Sequence, residues 1–325
     1  MRLGKGCCNG TFGELVQGII EERPFLITLP IPHLKSDAVF IPNPTSSEMT
    51  VMDSKIKALK AGKLLTQQFG LPGGGHIDIR SNIPAGKGMA SSSADIVAAM
   101  KAVADSYSFP ITKEIISAIA VKLEPTDGVM YDEVVAFDYI HGEMLETFGT
   151  LPPFILIGID LGGGVDTIRF NQFEKQYNQH DREFFAEAYE WVRKGFNDKN
   201  LSSICKAATL SARVNQKLLP KPFFREFEKL AQYYHGGVVV AHSGTVMGIL
   251  LDENLPNLNE IILEVKGEIF EIVKNPYLPF YCYIYNEDKE IMNGNNLVNS
   301  TNICFGPPAR IGCRPPGLHR WFDTL

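Results

Sequence analysis

The chain has no excess of positive charge and no long apolar run. Among its 325 residues, 31 Lys and Arg stand against 37 Asp and Glu, which gives a formal net charge of −6. This balance provides no basic field for nucleic acid or acidic lipid, so we expect neither as a partner. No apolar segment is long enough to cross a bilayer, and the first residues lack the apolar core of a signal peptide. The sequence therefore predicts a cytoplasmic protein without membrane contact.

Metal-ligand patterns are also missing. The six cysteines form no Cys-x-x-Cys pair and have no histidine at ligand spacing. In a long chain without an export signal, they are expected to be free thiols. Zinc-finger and metalloprotease patterns do not occur, so any metal is expected to arrive with a nucleotide.

The most informative segment is the run Pro-Ala-Gly-Lys-Gly-Met-Ala-Ser-Ser-Ser-Ala-Asp at residues 84–95. A strand-like segment, Gly75–Arg80, precedes it, and apolar residues at helical spacing follow it from Ile96 to Tyr107. A glycine loop between a strand and a helix start offers unpaired N–H groups and partial positive charge to an anion. Lys87 adds a point charge, and a serine hydroxyl could bind Mg²⁺. The segment therefore predicts a site for a nucleoside triphosphate.

An ordinary helix start is the alternative for this segment. Ser92 followed three residues later by Asp95 fits an N-terminal cap, and many helices begin this way without a ligand. The spacing is not that of a Walker loop, because no Gly-Lys-Ser/Thr triplet follows a four-residue gap.

Apolar periodicity outlines the remaining elements. Strands are predicted where short apolar runs lie between turn residues: 25–29, 38–41, 49–52, 154–160, 236–240 and 280–285. Helices are predicted where the spacing is three to four: 55–69, 112–123, 181–197, 201–217 and 260–273. Prolines between the first strands suggest that turns separate them.

Two further motifs flank the glycine loop along the chain. The first is Gly-Thr-Phe-Gly-Glu-Leu-Val-Gln-Gly at residues 10–18, and the second is Ala-His-Ser-Gly-Thr-Val-Met-Gly at residues 241–248. Together the three motifs resemble those of the GHMP small-molecule kinases, whose ATP loop has the form Pro-x-x-x-Gly-Leu-Gly-Ser-Ser-Ala. Within that family, the Glu-Pro-Thr-Asp segment 124–127, the Val-Asp-Thr segment 165–167 and the His-Ser-Gly-Thr segment resemble kinases of L-threonine.

The resemblance implies a set of residues for ATP and Mg²⁺. The backbone of the loop would surround the β- and γ-phosphates, through Pro84, Gly86, Lys87, Gly88, Met89, Ala90, Ser91, Ser92 and Ser93. Ser92 would be the hydroxyl ligand of Mg²⁺, although Ser91 and Ser93 are close enough to take its place. Glu124 would supply the carboxylate ligand, and such a hard-oxygen pair suits Mg²⁺. The alternative for Glu124 is a solvated helix end.

Catalysis requires an acceptor hydroxyl in line with the γ-phosphate and a group that takes its proton. By the same resemblance, Asp127 is the candidate base, with Lys87 assisting by charge. Asp127 in a Pro-Thr-Asp-Gly turn could instead bind its own backbone. The adjacent His242 and Ser243 do not indicate a hydrolase, because no Gly-x-Ser-x-Gly turn surrounds them.

The resemblance also implies substrate contacts. Glu14 in the first motif would face the substrate, and the third motif would close over phosphate or substrate. In an amino-acid kinase, Asp166 could hold the ammonium and Arg169 the carboxylate, although both are surface-loop residues by default. The full candidate set is Glu14, Asp166, Thr167, Arg169, Ser243, Gly244 and Thr245.

Taken together, the resemblance implies an α+β, two-domain GHMP kinase fold. Residues 1–150 would form a mixed α/β domain with a left-handed βαβ unit, residues 151–305 a ferredoxin-like domain, and residues 306–325 a tail of unknown role. The implied reaction transfers the γ-phosphoryl of ATP to the hydroxyl of a small free amino acid, L-threonine first. Homoserine, serine or another amino alcohol are alternatives within the class, and an inactive nucleotide-binding regulator is one outside it. The oligomeric state is left open, with a homodimer as one alternative.

Overall fold

The computed structural model describes residues 2–165, 170, 175–275 and 277–286. Ten strands are described: β1 (Gly4–Ile20), β2 (Arg23–Pro42), β3 (Met49–Val51), β4 (Gly75–Ser81), β5 (Val134–Asp138), β6 (Glu143–Gly149), β7 (Phe154–Asp160), β8 (Gly237–Val240), β9 (Val246–Asp252) and β10 (Phe280–Tyr285). The helices are α1 (Ile56–Phe69), preceded by a 3₁₀ turn at Asp53–Lys55, then α2 (Ser91–Ser106), α3 (Lys113–Ala120), α4 (Gln179–Asn197), α5 (Leu201–Asn215), α6 (Phe224–Tyr233) and α7 (Leu258–Val273). None of these helices is long and apolar enough to cross a membrane.

The described strands form one sheet in the order β10-β7-β9-β8-β1-β2-β4-β3, and β5 joins β2 to β6. The C-terminal half of the sheet contains β7 to β10. If these four strands are numbered 1 to 4 along the chain, their order in the sheet is 4-1-3-2, as in a ferredoxin-like β-α-β-β-α-β unit. This agrees with the α+β fold that the sequence predicts. β3 and β4 are parallel and α1 connects them, which makes a βαβ unit whose hand stays a prediction. The division at residue 150 also stays a prediction, and it falls in the connection between β6 and β7.

A long hairpin of β1 and β2 forms the centre of the sheet. The two strands turn at Glu21 and Glu22, both with positive φ as in a type I′ turn. Register shifts occur near Gly10 and Glu14, where the first motif lies. The predicted separation of residues 25–29 and 38–41 into two strands is wrong, because β2 continues through both segments. Between Ile31 and Lys35, β2 has extra residues relative to β1, and Pro32 lies within this irregularity, where it has no partner in the ladder.

Helix α2 packs on β1 and β2 and is buried along almost its whole length. Helices α4 and α5 pack against β1, while α6 and α7 pack on the strands of the C-terminal half of the sheet. The alternative that Ser92 caps α2 is wrong. The N-cap residue is Ala90, in the left-handed region with φ 61°, and no side chain caps the helix. Predicted helix 112–123 ends earlier, at Ala120, with Thr112 as its N-cap.

Candidate active site

The three motifs meet through the carbonyl oxygens of the glycine loop. From the first motif, the N–H groups of Thr11 and Gly13 donate to the carbonyls of Met89 and Gly88, with N–O distances of 3.1 and 3.4 Å. From the third motif, the N–H of Thr245 donates to the Lys87 carbonyl at 3.0 Å. These bonds turn the carbonyls toward β1 and the third motif. The loop is therefore held from both sides by motifs that are distant in sequence.

The amides of the same loop are left without partners. Within the described part of the chain, no acceptor lies at hydrogen-bond distance from the backbone N–H groups of residues 86–93. The first intrahelical bond of α2 runs from Ala94 to Ala90, so the amides at the helix start have no intrahelical acceptor. Unpaired N–H groups and the positive end of a helix dipole are the features that favour binding of an anion. This geometry agrees with a phosphate site and leaves no capping side chain to compete.

Glycine is required where the loop touches the third motif. A Cβ on Gly88 would lie 2.4 Å from Cβ of Ala241, and one on Gly244 would lie 2.1 Å from the Lys87 carbonyl oxygen. Non-bonded contacts of a Cβ atom are not this short in proteins. The two segments can therefore approach each other this closely only because both positions are glycine. The loop and the third motif therefore depend on each other for their positions.

A cleft that is partly open to solvent runs along the glycine loop. Most of the predicted phosphate residues line it, together with Glu14, Glu124, Asp127 and Ser243. Four lining residues were not predicted: Leu26, Pro125, Thr126 and Tyr139. His242, which the sequence raised only in connection with a hydrolase, also lines the cleft. Asp166, Thr167 and Arg169 lie outside the described residues.

The hydroxyl and carboxylate proposed for Mg²⁺ are in direct contact. Ser92 Oγ donates to Glu124 Oε1, and Lys57 Nζ pairs with Glu124 Oε2. Glu124 is buried, so the solvated helix end considered above does not describe it. The described residues contain no group of three His, Cys, Asp or Glu side chains that could enclose a metal alone. One hydroxyl and one carboxylate suit a cation that completes its shell with phosphate and water, as Mg²⁺ does.

Asp127 lies beside the helix start. Asp127 Oδ2 accepts from Ser93 Oγ at 3.3 Å, and the backbone N–H of Asp127 donates to Ser93 Oγ at 3.4 Å. Burial raises the pKa of Asp127 to about 6, and repulsion from Glu124 adds to this shift. At neutral pH the carboxylate is therefore largely ionised, with a proton affinity suited to a general base.

Glu14 is a buried carboxylate with an unpartnered oxygen. It lies where β1 meets β8, opposite Val240, and only 4% of the residue is exposed. Its Oε2 has no hydrogen-bond partner among the described residues. Burial, and then repulsion from Asp127, raise the pKa of Glu14 well above its usual range, while the backbone N–H of His242 partly offsets the shift. The cleft thus contains two mutually repelling carboxylates and a carboxylate oxygen without a donor.

Hydrogen bonds hold the side chain of His242, whose backbone N–H contacts Glu14. Lys175 Nζ lies 2.8 Å from His242 Nε2, and His242 Nδ1 lies 2.6 Å from Gln17 Oε1. Since the Gln17 carbonyl oxygen can only accept, His242 Nδ1 carries the imidazole proton and donates to it, and Nε2 accepts from Lys175. Burial, with the nearby cations Lys175 and Lys221, holds the pKa of His242 well below its usual range, so the ring is neutral. Burial lowers the pKa of Lys175 to about 7.

Two predicted residues have their side chains engaged elsewhere. Lys87 Nζ pairs with buried Asp160 at 2.8 Å and donates to the Gly163 carbonyl at 2.7 Å. Thr245 Oγ1 donates to Asp160 Oδ1 at 2.6 Å. Neither Lys87 nor Pro84 lines the cleft. The roles predicted for Lys87 and Thr245 at phosphate and substrate stay predictions.

Comparison with known families decides the class of the site. Residues 56–137, which include the glycine loop and Asp127, match the model of the GHMP kinases N terminal domain. The chain therefore carries a segment that matches the N-terminal domain of the GHMP kinases. An L-threonine kinase from Salmonella typhimurium is 28% identical over 81% of this chain and 87% of its own length. One from Citrobacter freundii is 29% identical over 78% of this chain and 88% of its own length.

Solved structures agree with this fold. A homoserine kinase from Cytophaga hutchinsonii superposes with a TM-score of 0.66, covering 88% of this chain and 95% of that one, at 13% identity. At such low identity the likeness concerns the fold alone. The predicted fold class and the prediction of an ATP-dependent kinase are confirmed.

Proposed function

We propose that this protein transfers the γ-phosphoryl of ATP to the side-chain hydroxyl of a small free amino acid, L-threonine first. The observation that carries the proposal is the buried carboxylate of Glu14, which lines the same cleft as the glycine loop and has one oxygen without a partner among the described residues. A hydroxyl acceptor alone requires no such group. An acceptor that also carries an ammonium does.

The loop supports the phosphate half of the reaction. The amides of residues 86–93 have no acceptor among the described residues, and they include the first N–H groups of α2. Because the flanking motifs hold their carbonyls, these amides need little reorganisation when the charge on the γ-phosphoryl develops. Ser92 and Glu124 would hold Mg²⁺, which when bound neutralises phosphate charge and orients the transferring group.

Asp127 supports the acceptor half. The acceptor oxygen forms a bond to the γ-phosphorus while the bond from that phosphorus to the β,γ-bridging oxygen breaks, so ADP leaves. The hydroxyl proton passes to the Asp127 carboxylate, which is ionised at neutral pH because its pKa is about 6. Ser93, bonded to the same carboxylate, keeps one oxygen oriented.

Glu14 supports the choice of substrate class. Glu14 is buried and Asp127 half-buried, and two such carboxylates that repel each other are costly unless a cation lies between or beside them. The ammonium of an amino acid supplies this cation and would bind the unpartnered Oε2. Substrate binding would then favour the ionised form of Glu14. The curated L-threonine kinases at 28% and 29% identity favour threonine over other amino acids.

A coupled ADP-release assay tests the proposal. L-threonine, L-homoserine and L-serine are compared with 3-hydroxybutyrate, which keeps the hydroxyl and carboxylate of threonine but lacks the ammonium. Because a polar site rejects analogues that leave its groups unpaired, we expect kcat/KM for 3-hydroxybutyrate to be at least about a hundredfold lower than for L-threonine. Equal turnover of both would contradict the role of Glu14.

Glu14→Gln is the matched variant. It keeps the shape of the side chain and removes its charge, so KM for the amino acid should rise while ADP affinity stays unchanged. ATP binding without turnover of any acceptor, in both forms, would favour the regulatory alternative.

A further inference from the structure

The carboxylate proposed for the metal already has a cation beside it. Glu124 is 8% exposed, and both of its oxygens have partners: Ser92 Oγ on Oε1 and Lys57 Nζ on Oε2. Lys57 comes from α1, an element that the family motifs do not include. Within the described part of the chain, no other cation forms an ion pair with Glu124.

Burial explains why such a partner is needed. A carboxylate removed from water is unstable as an anion unless it is hydrogen-bonded and paired. Glu124 also repels Asp127, whose pKa it helps to raise. Without a counter-charge, two neighbouring carboxylates would share this end of the cleft.

Lys57 can both form and leave this pair. Its side chain is 37% exposed, while that of Glu124 is 7% exposed. A lysine side chain is flexible and its ammonium is strongly hydrated, so the solvent-facing ammonium has somewhere to move. The pair is therefore formed between a fixed carboxylate and a movable cation.

We propose that Lys57 is the resident counter-ion of Glu124 and competes with the divalent cation that accompanies the nucleotide. In the nucleotide-free enzyme, its ammonium neutralises the carboxylate and keeps it directed at Ser92. When nucleotide and metal enter, Lys57 gives up its contact with Glu124. The inference rests on the proposed nucleotide site and is independent of the acceptor.

A role of Lys57 in binding phosphate would lead to a different expectation. If Lys57 were mainly a phosphate ligand, its removal would weaken nucleotide binding at every metal concentration. A competing counter-ion instead makes the metal requirement higher than the ligand pair alone would set. Removing it should therefore lower the Mg²⁺ concentration needed for binding.

Lys57→Gln and Lys60→Gln form a matched pair for the test. Both remove one positive charge from α1, but Lys60 is exposed and has no ion-pair partner in the described structure. ADP is titrated calorimetrically into each protein at a series of Mg²⁺ concentrations, with no acceptor present. We expect the Mg²⁺ concentration at half-maximal ADP affinity to fall roughly threefold to tenfold in Lys57→Gln, and not in Lys60→Gln.

Thermal unfolding in EDTA provides a metal-free measurement. Lys57→Gln leaves Glu124 without its counter-charge, so its Tm should fall by about 2 °C relative to the wild type, while Lys60→Gln should not change. Adding Mg²⁺ and ADP should then raise the Tm of Lys57→Gln more than that of the wild type.

Three results would overturn the proposal. They are an unchanged Mg²⁺ requirement in Lys57→Gln, a uniform loss of ADP affinity at all metal concentrations, and equal effects of the two substitutions. None depends on the acceptor, so turnover of L-threonine can fail while this inference stands, or the reverse.

Discussion

Gly88→Ala tests whether the backbone contact between the glycine loop and the third motif holds the phosphate site together. Gly88 has φ +77°, and an added Cβ would lie 2.4 Å from Cβ of Ala241 and 3.0 Å from Cα of Gly244. Neither neighbour is the end of a flexible side chain. The loop or the third motif must therefore move.

Gly86→Ala is the control, because it shares the backbone strain and lacks the contact. Gly86 has φ +72°, and nothing lies within 4 Å of its added Cβ. A left-handed conformation costs a non-glycine residue about 1–2 kcal/mol. Overpacking against rigid neighbours adds about 1–3 kcal/mol. We therefore expect the free energy of unfolding to fall by about 1–2 kcal/mol in Gly86→Ala and by about 2–5 kcal/mol in Gly88→Ala.

Urea denaturation followed by circular dichroism measures the difference, and calorimetric titration of ADP measures the consequence for the site. The movement in Gly88→Ala would disturb the bonds from Gly13 and Thr245 that orient the loop, so ADP affinity should fall at least about tenfold. Equal destabilisation by the two substitutions would refute the packing argument. Wild-type ADP affinity in a destabilised Gly88→Ala would refute the link between this contact and the phosphate site.

Three further predictions concern side chains around the cleft and beyond it. Since protonation removes the base, kcat/KM should fall below a pH of about 6 through Asp127, and Asp127→Asn should lose that acidic limb along with most of its activity. Asp160→Asn should destabilise the protein by about 2–3 kcal/mol, because the amide would face the Lys87 ammonium; in urea denaturation, adding Lys87→Met should recover part of this loss, and strict additivity would contradict the pairing. Asn178→Ala should cost about 1 kcal/mol by removing the capping box that Asn178 forms with Asp181, whereas Asn178→Asp keeps an acceptor and should cost less in the same denaturation assay.

The pattern of apolar residues predicted those elements that have one environment along their length. The apolar runs 154–160 and 280–285 coincide with β7 and β10, and the helical spacing near residue 260 coincides with α7. These segments have one environment along their length, so local pattern and final structure agree. The helix at 112–123 was predicted too long, because apolar spacing continues into the turn after Ala120.

The central hairpin could not be predicted in the same way. β1 carries the glycines and polar residues of the first motif, which locally resemble a turn, and β2 contains prolines. Tertiary contacts keep both segments extended. The two strands pair along the hairpin, with register shifts at the first motif, and α2 packs against both strands. Propensity is overridden where such contacts dominate.

In the candidate site, too, residues in local motifs could be predicted, whereas features that depend on contacts between distant segments could not. Motif residues of the loop, Glu124 and Asp127 could be chosen from the sequence, because each lies in a recognisable segment. Lys57 could not, since a lysine on a helix is ordinarily a solvated residue and its partner is distant in the chain. Glu14 could be chosen, but its unpartnered oxygen follows only from burial at the junction of β1 and β8.

The contacts of Lys87 bear on how the loop would bind phosphate. A lysine among glycines suggests a point charge on the nucleotide, but here its ammonium pairs with Asp160 and a backbone carbonyl. Any contact with phosphate must first break that buried ion pair, which offsets part of the gain. The amides have no such competitor, because the carbonyls of the loop, and not its N–H groups, are used for anchoring. Phosphate binding is therefore expected to depend first on backbone orientation and only second on the lysine, so Lys87→Met should weaken ADP binding less than Gly88→Ala does.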